Sequence, residues 1–168
     1  MKFLYTDIDG VLCLDSETKP KSTKWGMIWR FNSKAVKVYN EILEKTGAQI
    51  IISSDWRRSH SLSELQEIFE WQGIIRKPID VTDHVPFTSL QFLERDRAKE
   101  ILNHVEKHKP EIWVAIDDLN LTDWWTGEKI VHYDKEVYKN DPHFVWLTRG
   151  NEGIKQSSKK EEVIKKLN

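Results

Sequence analysis

The sequence has a single cysteine, Cys13, so no intramolecular disulfide can form. A reducing compartment, the cytosol, is the simplest expectation. No apolar run approaches the ~20 residues that a membrane span needs, and no membrane partner is expected. The opening stretch from Met1 to Thr6 meets Asp7 too early for the apolar core of a signal peptide. A strong charge of one sign is also missing: the formal net charge is −1. That excludes a protein that holds nucleic acid by bulk electrostatics alone. Lys19, Lys21, Lys24, Arg57, Arg58 and the lysine-rich C-terminus are expected to be mostly solvated. Internal repeats, low-complexity segments and long linkers are absent as well.

What is present describes an ordinary globular chain. Hydrophobic residues make up 39 % and charged residues 32 % of 168 residues. That length suits one domain, residues 1–168, with a sizeable core. The eight tryptophans are expected at the core or its edge.

Lys2 to Thr6 reads as a strand that runs into Asp7-Ile8-Asp9-Gly10. Residues 13–31 have no steady period and read as a loop with at most a short hairpin. Ser33 has the character of an N-cap. Val36, Tyr39, Ile42, Leu43 and Thr46 then follow at helical spacing, and Gly47 closes the helix. Ala48 to Ile52 is a short buried strand that stops at Ser53-Ser54-Asp55-Trp56-Arg57. Ser61 and Glu64 form a capping box before a helix that ends near Gly73. Residues 74–90 are mixed, with room for one short strand. Arg95 to His108 predicts another helix, Ile112 to Ile116 a buried strand, and His143 to Leu147 the last core strand. Ser158 and Glu161 are expected to box a final helix. Strands this apolar, alternating with helices, imply an α/β fold: a mainly parallel sheet covered on both faces.

Polar residues stand where three of these strands end: Asp7 and Asp9, Ser53, then Asp117 and Asp118. Ligands of an open parallel sheet bind outside the carboxyl ends of its strands, so these side chains should meet in one cleft. Four carboxylates together are stable only with a cation or with some groups protonated. All-oxygen ligands fit Mg²⁺ better than zinc.

Asp7-Ile8-Asp9-Gly10-Val11-Leu12 resembles the first motif of haloacid dehalogenase superfamily phosphatases. The strand ending in Ser53 resembles their second motif, and Trp113-Val114-Ala115-Ile116-Asp117-Asp118 their fourth. The resemblance implies a Rossmann-like three-layer sandwich, Mg²⁺, and phosphoryl transfer through an aspartyl-phosphate. By the same resemblance Asp7 is the nucleophile and Asp9 the acid and base. Ser53, or Ser54 beside it, binds phosphate, and Gly10 permits the turn. Asp7, the Asp9 carbonyl and Asp117 hold the metal, with Asp118 a further ligand or an orienting group. The third motif needs a cation, for which Arg97 and Lys99 are both candidates. At ~100° per residue the inward stripe of that helix centres about 90° from Arg97 and about 110° from Lys99. Arg97, on the first turn and before the small Ala98, is favoured, although the family commonly has lysine there.

The run from Ile51 to Arg57 is similar to that of a small branch, the domains of Swiss-Army-knife RNA-repair proteins and phage-type stand-alone relatives. Asp55, Trp56 and Arg57 admit two roles, substrate contact or structure: a capping acid, a packed indole and an ion pair. Neither inter-motif segment is long enough for a folded cap, so the cleft should be open. An open cleft suits a nucleic-acid end or nucleotide better than a small sugar phosphate, because nothing closes over it. Arg57, Trp56, Trp25 and Trp125 are the candidate substrate contacts. The alternatives are a phosphatase for a small metabolite or phosphoprotein, and an inactive binding module. The six histidines show no ligand spacing; His104 and His108 are four apart, without an evident third ligand, and are expected to be solvated or capping. The sequence leaves the oligomeric state open and is compatible with a monomer.

Overall fold

The computed structural model describes residues 1–14, 19–86, 93–121 and 142–168. Its centre is a five-stranded sheet with every pairing parallel. The strands are β1 (Lys2–Thr6), β4 (Gln49–Ile52), β5 (Asp80–Val81), β6 (Ile112–Asp117) and β7 (Phe144–Trp146), in the spatial order β5-β4-β1-β6-β7. A small antiparallel hairpin, β2 (Lys21–Thr23) and β3 (Gly26–Ile28), stands apart from it. The helices are α1 (Ser33–Thr46), α2 (Leu62–Trp71), α3 (Leu93–His108) and α4 (Lys159–Leu167).

The two-residue period of the strands divides the core into two layers. Leu4, Ile50, Ile52, Val114 and Ile116 face α1, α2 and α4. Phe3, Tyr5, Ile51, Trp113 and Ala115 face Ala98 and Ile101 of α3. Helices therefore cover both faces, as the apolar strands require. Among the described residues no cap domain interrupts this Rossmann-like α/β sandwich: the hairpin is what separates β1 from α1.

Local chemistry explains most element boundaries. Gly47 ends α1 at φ 69°, in the left-handed region, and its N–H bonds the Leu43 carbonyl. Ser61 and Glu64 form the expected capping box. Two caps differ from expectation. Asn32, not Ser33, caps α1: it sits in extended backbone at φ −66°, and its amide oxygen accepts from both Lys34 N and Ala35 N at 3.1 Å. Ser158 makes no side-chain cap bond: it sits at φ 66°, and Lys159 and Lys160 bond to Glu162 and Glu41 instead.

Candidate active site

Asp7, Ser53 and Asp117 stand at one level on the carboxyl edge of three adjacent strands, β1, β4 and β6. Backbone bonds hold that level beyond the ladders: Asp7 N donates to Ile116 O and Ser53 N to Thr6 O, both at 3.1 Å. Strand alternation turns Asp7 and Asp117 toward α3, where Arg97 meets them. A single guanidinium nitrogen, Nη1, lies 3.1 Å from Asp7 Oδ1 and 3.0 Å from Asp117 Oδ2. Asp7, Arg97 and Asp117 are all buried. Asp117 Oδ1 accepts from Leu119 N at 2.9 Å, which fixes the carboxylate plane.

Asp118 follows at the rim and completes the acidic cluster. Carboxylate oxygens of Asp7, Asp117 and Asp118 lie within 4.8 Å of one another. The crowding is costly. Burial first, and then Asp7, hold the Asp117 carboxyl well above its ordinary value, against the pull of Arg97. The same two causes push Asp118 up to about 6. Burial disfavours the Arg97 charge, but Asp117 and Asp7 outweigh it and keep the guanidinium ionised. One arginine thus leaves the cluster short of positive charge. Three crowded oxygen donors of this kind fit Mg²⁺, which takes carboxylates in a compact octahedron.

The chain turns sharply after Asp7. The N–H groups of Val11, Leu12 and Cys13 converge on Ile8 O at 3.2, 2.9 and 2.9 Å. Gly10 sits in this turn at φ 70°, and a Cβ there would lie 2.3 Å from Asp118 Oδ2. Glycine is needed both for the backbone conformation and for the approach of Asp118. The turn leaves the Asp9 side chain exposed. Trp56 Nε1 donates to Asp9 Oδ2 at 2.9 Å, and its ring packs 5.9 Å from Phe31.

Of the two serines, Ser53 is buried and its Oγ has no hydrogen-bond partner among the described residues. A buried hydroxyl without a partner at this edge can take an oxygen of a bound ligand. Ser54 Oγ is already engaged: it caps the short 3₁₀ turn Asp55–Arg58 through Trp56 N.

The remaining candidates divide. Lys99 is exposed, whereas Arg97 is inside the cluster. Arg57 is corrected from substrate contact to scaffold. Its side chain has no exposed surface, pairs with the buried Glu100, and donates to the carbonyls of Ser53, Ser54 and Thr82. It locks the end of β4 to α3. Trp25 packs against α2: Nε1 donates to Glu67 at 3.0 Å and the ring meets Trp71 edge-on. Trp29, four residues on, takes its place beside Asp9. It lines a groove of about 340 Å³ with Met27, Ile28, Asp55, Trp56, Ser59 and His60. Trp125 lies outside the described residues.

Sequence reasoning missed Glu100 and His104. His104 is buried, with Nδ1 2.9 Å from the Tyr5 hydroxyl and Nε2 3.3 Å from Asp80 Oδ2, so it is neither solvated nor a cap. Both residues fall on the i, i+3 and i+4 lines of α3 beside Arg97 and Ile101, a buried polar stripe that helical spacing contains but does not distinguish from a solvated face.

Residues 3–144 match the family model of the HAD domain in Swiss Army Knife RNA repair proteins. The chain belongs to that family. Comparison with curated proteins and with solved structures returned no match. Membership points to a hydrolase of the phosphatase kind. No described helix is long and apolar enough to cross a membrane.

Proposed function

We propose, for a chain of this family, a Mg²⁺-dependent phosphomonoesterase that works through an aspartyl-phosphate on Asp7 and acts on nucleic-acid ends or nucleotides. One observation carries the reading: Asp7 ends the central strand between Ser53 and Asp117, with Arg97 Nη1 3.1 Å from its carboxylate. A nucleophile, an unpartnered hydroxyl and a fixed cation face one point.

The chemistry then follows from the side chains. An Asp7 oxygen attacks phosphorus while the bond from phosphorus to the ester oxygen breaks, and protonated Asp9 gives its proton to that leaving oxygen. The Asp9 carboxylate next takes a proton from water. That water attacks phosphorus, the bond to Asp7 breaks, and phosphate is released with both acids restored. Trp56 Nε1 holds the Asp9 carboxyl in place through both halves. Ser53 Oγ and Arg97 bind phosphate oxygens and balance their charge. Asp7, the Asp9 carbonyl, Asp117 and Asp118 would hold Mg²⁺, which when bound supplies charge neutralisation at the phosphoryl oxygens.

The substrate class rests on the open cleft. The groove beside Asp9 presents the exposed Trp29 and the half-buried Trp56, and its size suits a small organic group. Aromatic faces of this kind stack bases. A further groove of about 520 Å³ includes Lys19, Lys21 and Arg30, cations suited to a phosphodiester backbone.

The test is phosphate release from 3′- and 5′-phosphorylated oligonucleotides, nucleotides and a sugar phosphate, with Mg²⁺ and with EDTA. Asp7→Asn should be folded and inactive on every substrate, because an amide cannot attack phosphorus. Oligonucleotide ends should give the highest kcat/KM, and Trp29→Ala should reduce that preference while sparing a small chromogenic ester. Near-normal turnover by folded Asp7→Asn removes the mechanism. A sugar phosphate preferred over oligonucleotides removes the substrate class and favours a metabolite phosphatase.

A further inference from the structure

A second set of ligating groups, unused by the chemistry above, lies where the edge strand β5 meets the C-terminal half of α3. His104 and His108 are one helical turn apart, and their rings stack with centroids 4.1 Å apart and planes at 16°. Asp80 opens β5 and approaches both: its Oδ2 is 3.3 Å from His104 Nε2 and 3.8 Å from His108 Nε2. Ligand atoms of all three residues lie within 4.8 Å of one another. Asp80 arrives there because β5 pairs with β4 at Ile51, and Ile51 pairs in turn with Tyr5. Tyr5 is two strand residues before Asp7, so the cluster is separate from the acidic site.

We infer that Asp80, His104 and His108 bind one divalent transition-metal ion, with zinc the best fit. Two imidazole nitrogens and one carboxylate oxygen are a donor set for zinc and its neighbours in the first transition row, not for Mg²⁺. Zinc bonds of ~2.0–2.1 Å at tetrahedral angles put adjacent ligand atoms roughly 3.3–3.4 Å apart. The Asp80–His104 separation already has that value, and the partly exposed His108 has room to close the longer one.

The surroundings of the buried ligand are those a metal-binding imidazole requires. His104 Nδ1 is 2.9 Å from the Tyr5 hydroxyl. An Nδ1 proton shared with the phenolic oxygen leaves the Nε2 lone pair facing Asp80 and His108. The Tyr5 ring stands edge-on to His104, and Phe3 lies 6.0 and 6.4 Å from the two imidazoles, forming an apolar floor. Asp80 and His108 are 40 % and 31 % exposed in their side chains, so the ion can enter from solvent and keep a water in its fourth position. The ion would join a two-residue edge strand to the helix that carries Arg97, and would stabilise both by binding the folded chain alone.

The test is calorimetric titration of the full chain with Zn²⁺ in excess Mg²⁺, with Co²⁺ used in parallel for its visible d–d bands. The expected result is one bound equivalent, bands characteristic of a four-coordinate nitrogen and oxygen site, and a zinc-dependent rise in Tm. His108→Ala and Asp80→Asn should weaken zinc binding at least ~tenfold while circular dichroism and Mg²⁺-dependent phosphate release stay unchanged. Tyr5→Phe should weaken it by about tenfold, because the hydroxyl that orients the His104 ring through Nδ1 is lost. Asp117→Asn should retain the zinc equivalent, which separates this site from the acidic cluster whether or not the phosphatase reading holds. The inference is overturned if the wild type binds no zinc in excess Mg²⁺. It is equally overturned if Asp117→Asn abolishes binding while His108→Ala and Asp80→Asn bind as the wild type does. If His108→Ala alters the fold, His108→Gln and the wild-type Co²⁺ spectrum decide the matter.

Discussion

Replacing Arg97 by methionine removes the only cation within contact distance of Asp7 and Asp117 among the described residues, and keeps most of the side-chain volume. Breaking a buried ion pair from one side costs ~3–5 kcal/mol. The lower end applies here. Asp117 already resists ionisation through burial and Asp7, so in the variant it takes up a proton instead of staying charged without a partner. About 3 kcal/mol out of a total near ~5–15 is therefore expected in the metal-free protein. At ~2–4 °C per kcal/mol for a chain of this size, Tm should fall by roughly 6–12 °C. Arg97→Lys should behave differently. The same nitrogen of Arg97 meets both carboxylates, so one ammonium can occupy its place, and the loss should be about 1 kcal/mol or less. Saturating Mg²⁺ should narrow the gap between Arg97→Met and the wild type, because a second cation then shares the acids. The assay is urea unfolding with tryptophan fluorescence, in EDTA and in Mg²⁺. Arg97→Met as stable as the wild type in EDTA would refute the argument, and so would Arg97→Lys as damaged as Arg97→Met.

Asp118 gives a pH dependence. Its folded value is raised from 3.8 to about 6, so folding favours its protonated form; the associated stability is full below about pH 4 and is lost as pH rises through about 6. Metal-free protein should show this loss in a Tm series from pH 4 to pH 7.5, and Asp118→Asn or saturating Mg²⁺ should flatten that part of it. Trp56→Phe keeps the ring against Phe31 and deletes the bond to Asp9. At a half-exposed site, turnover of a poor alkoxide leaving group should fall about fivefold, with less effect on p-nitrophenyl phosphate; equal losses on both would count against a role for Asp9 as acid. Arg57→Met leaves Glu100 buried without its closest cation and removes the side-chain donor to the carbonyls of Ser53, Ser54 and Thr82, of which Ser54 keeps the backbone N–H of residue 57. A loss of ~3–5 kcal/mol by chemical denaturation is expected, and a change under 1 kcal/mol would show that the pair contributes little.

Local patterns in the chain determined the elements of the core. Short apolar runs bounded by acids and serines marked β1, β4 and β6, and Gly47 and the Ser61–Glu64 box marked helix ends, because such runs and caps act over a few neighbouring residues. The same locality explains the convergence of Asp7, Ser53 and Asp117: parallel strands in register must bring their carboxyl ends together. Other assignments depended on which face each helix turns inward. The angular margin between Arg97 and Lys99 was too small for periodicity to separate, and it was the packing of Ala98 and Ile101 on Phe3 and Tyr5 that aimed Arg97 at the acids. Arg57 reads in the chain as a substrate contact or a structural ion pair, with no sign of which; its burial against Glu100, 43 residues away, exists only once β4 and α3 are docked. Trp25 and Trp29 are indistinguishable by composition, and the hairpin turn decided which of them meets α2 and which meets Asp9. The placing of Asp80 beside His104 and His108 has no sequence signal at all. Side chains far apart in the chain become neighbours through the sheet order, and that order is set by the joint packing of all the layers rather than by any one segment.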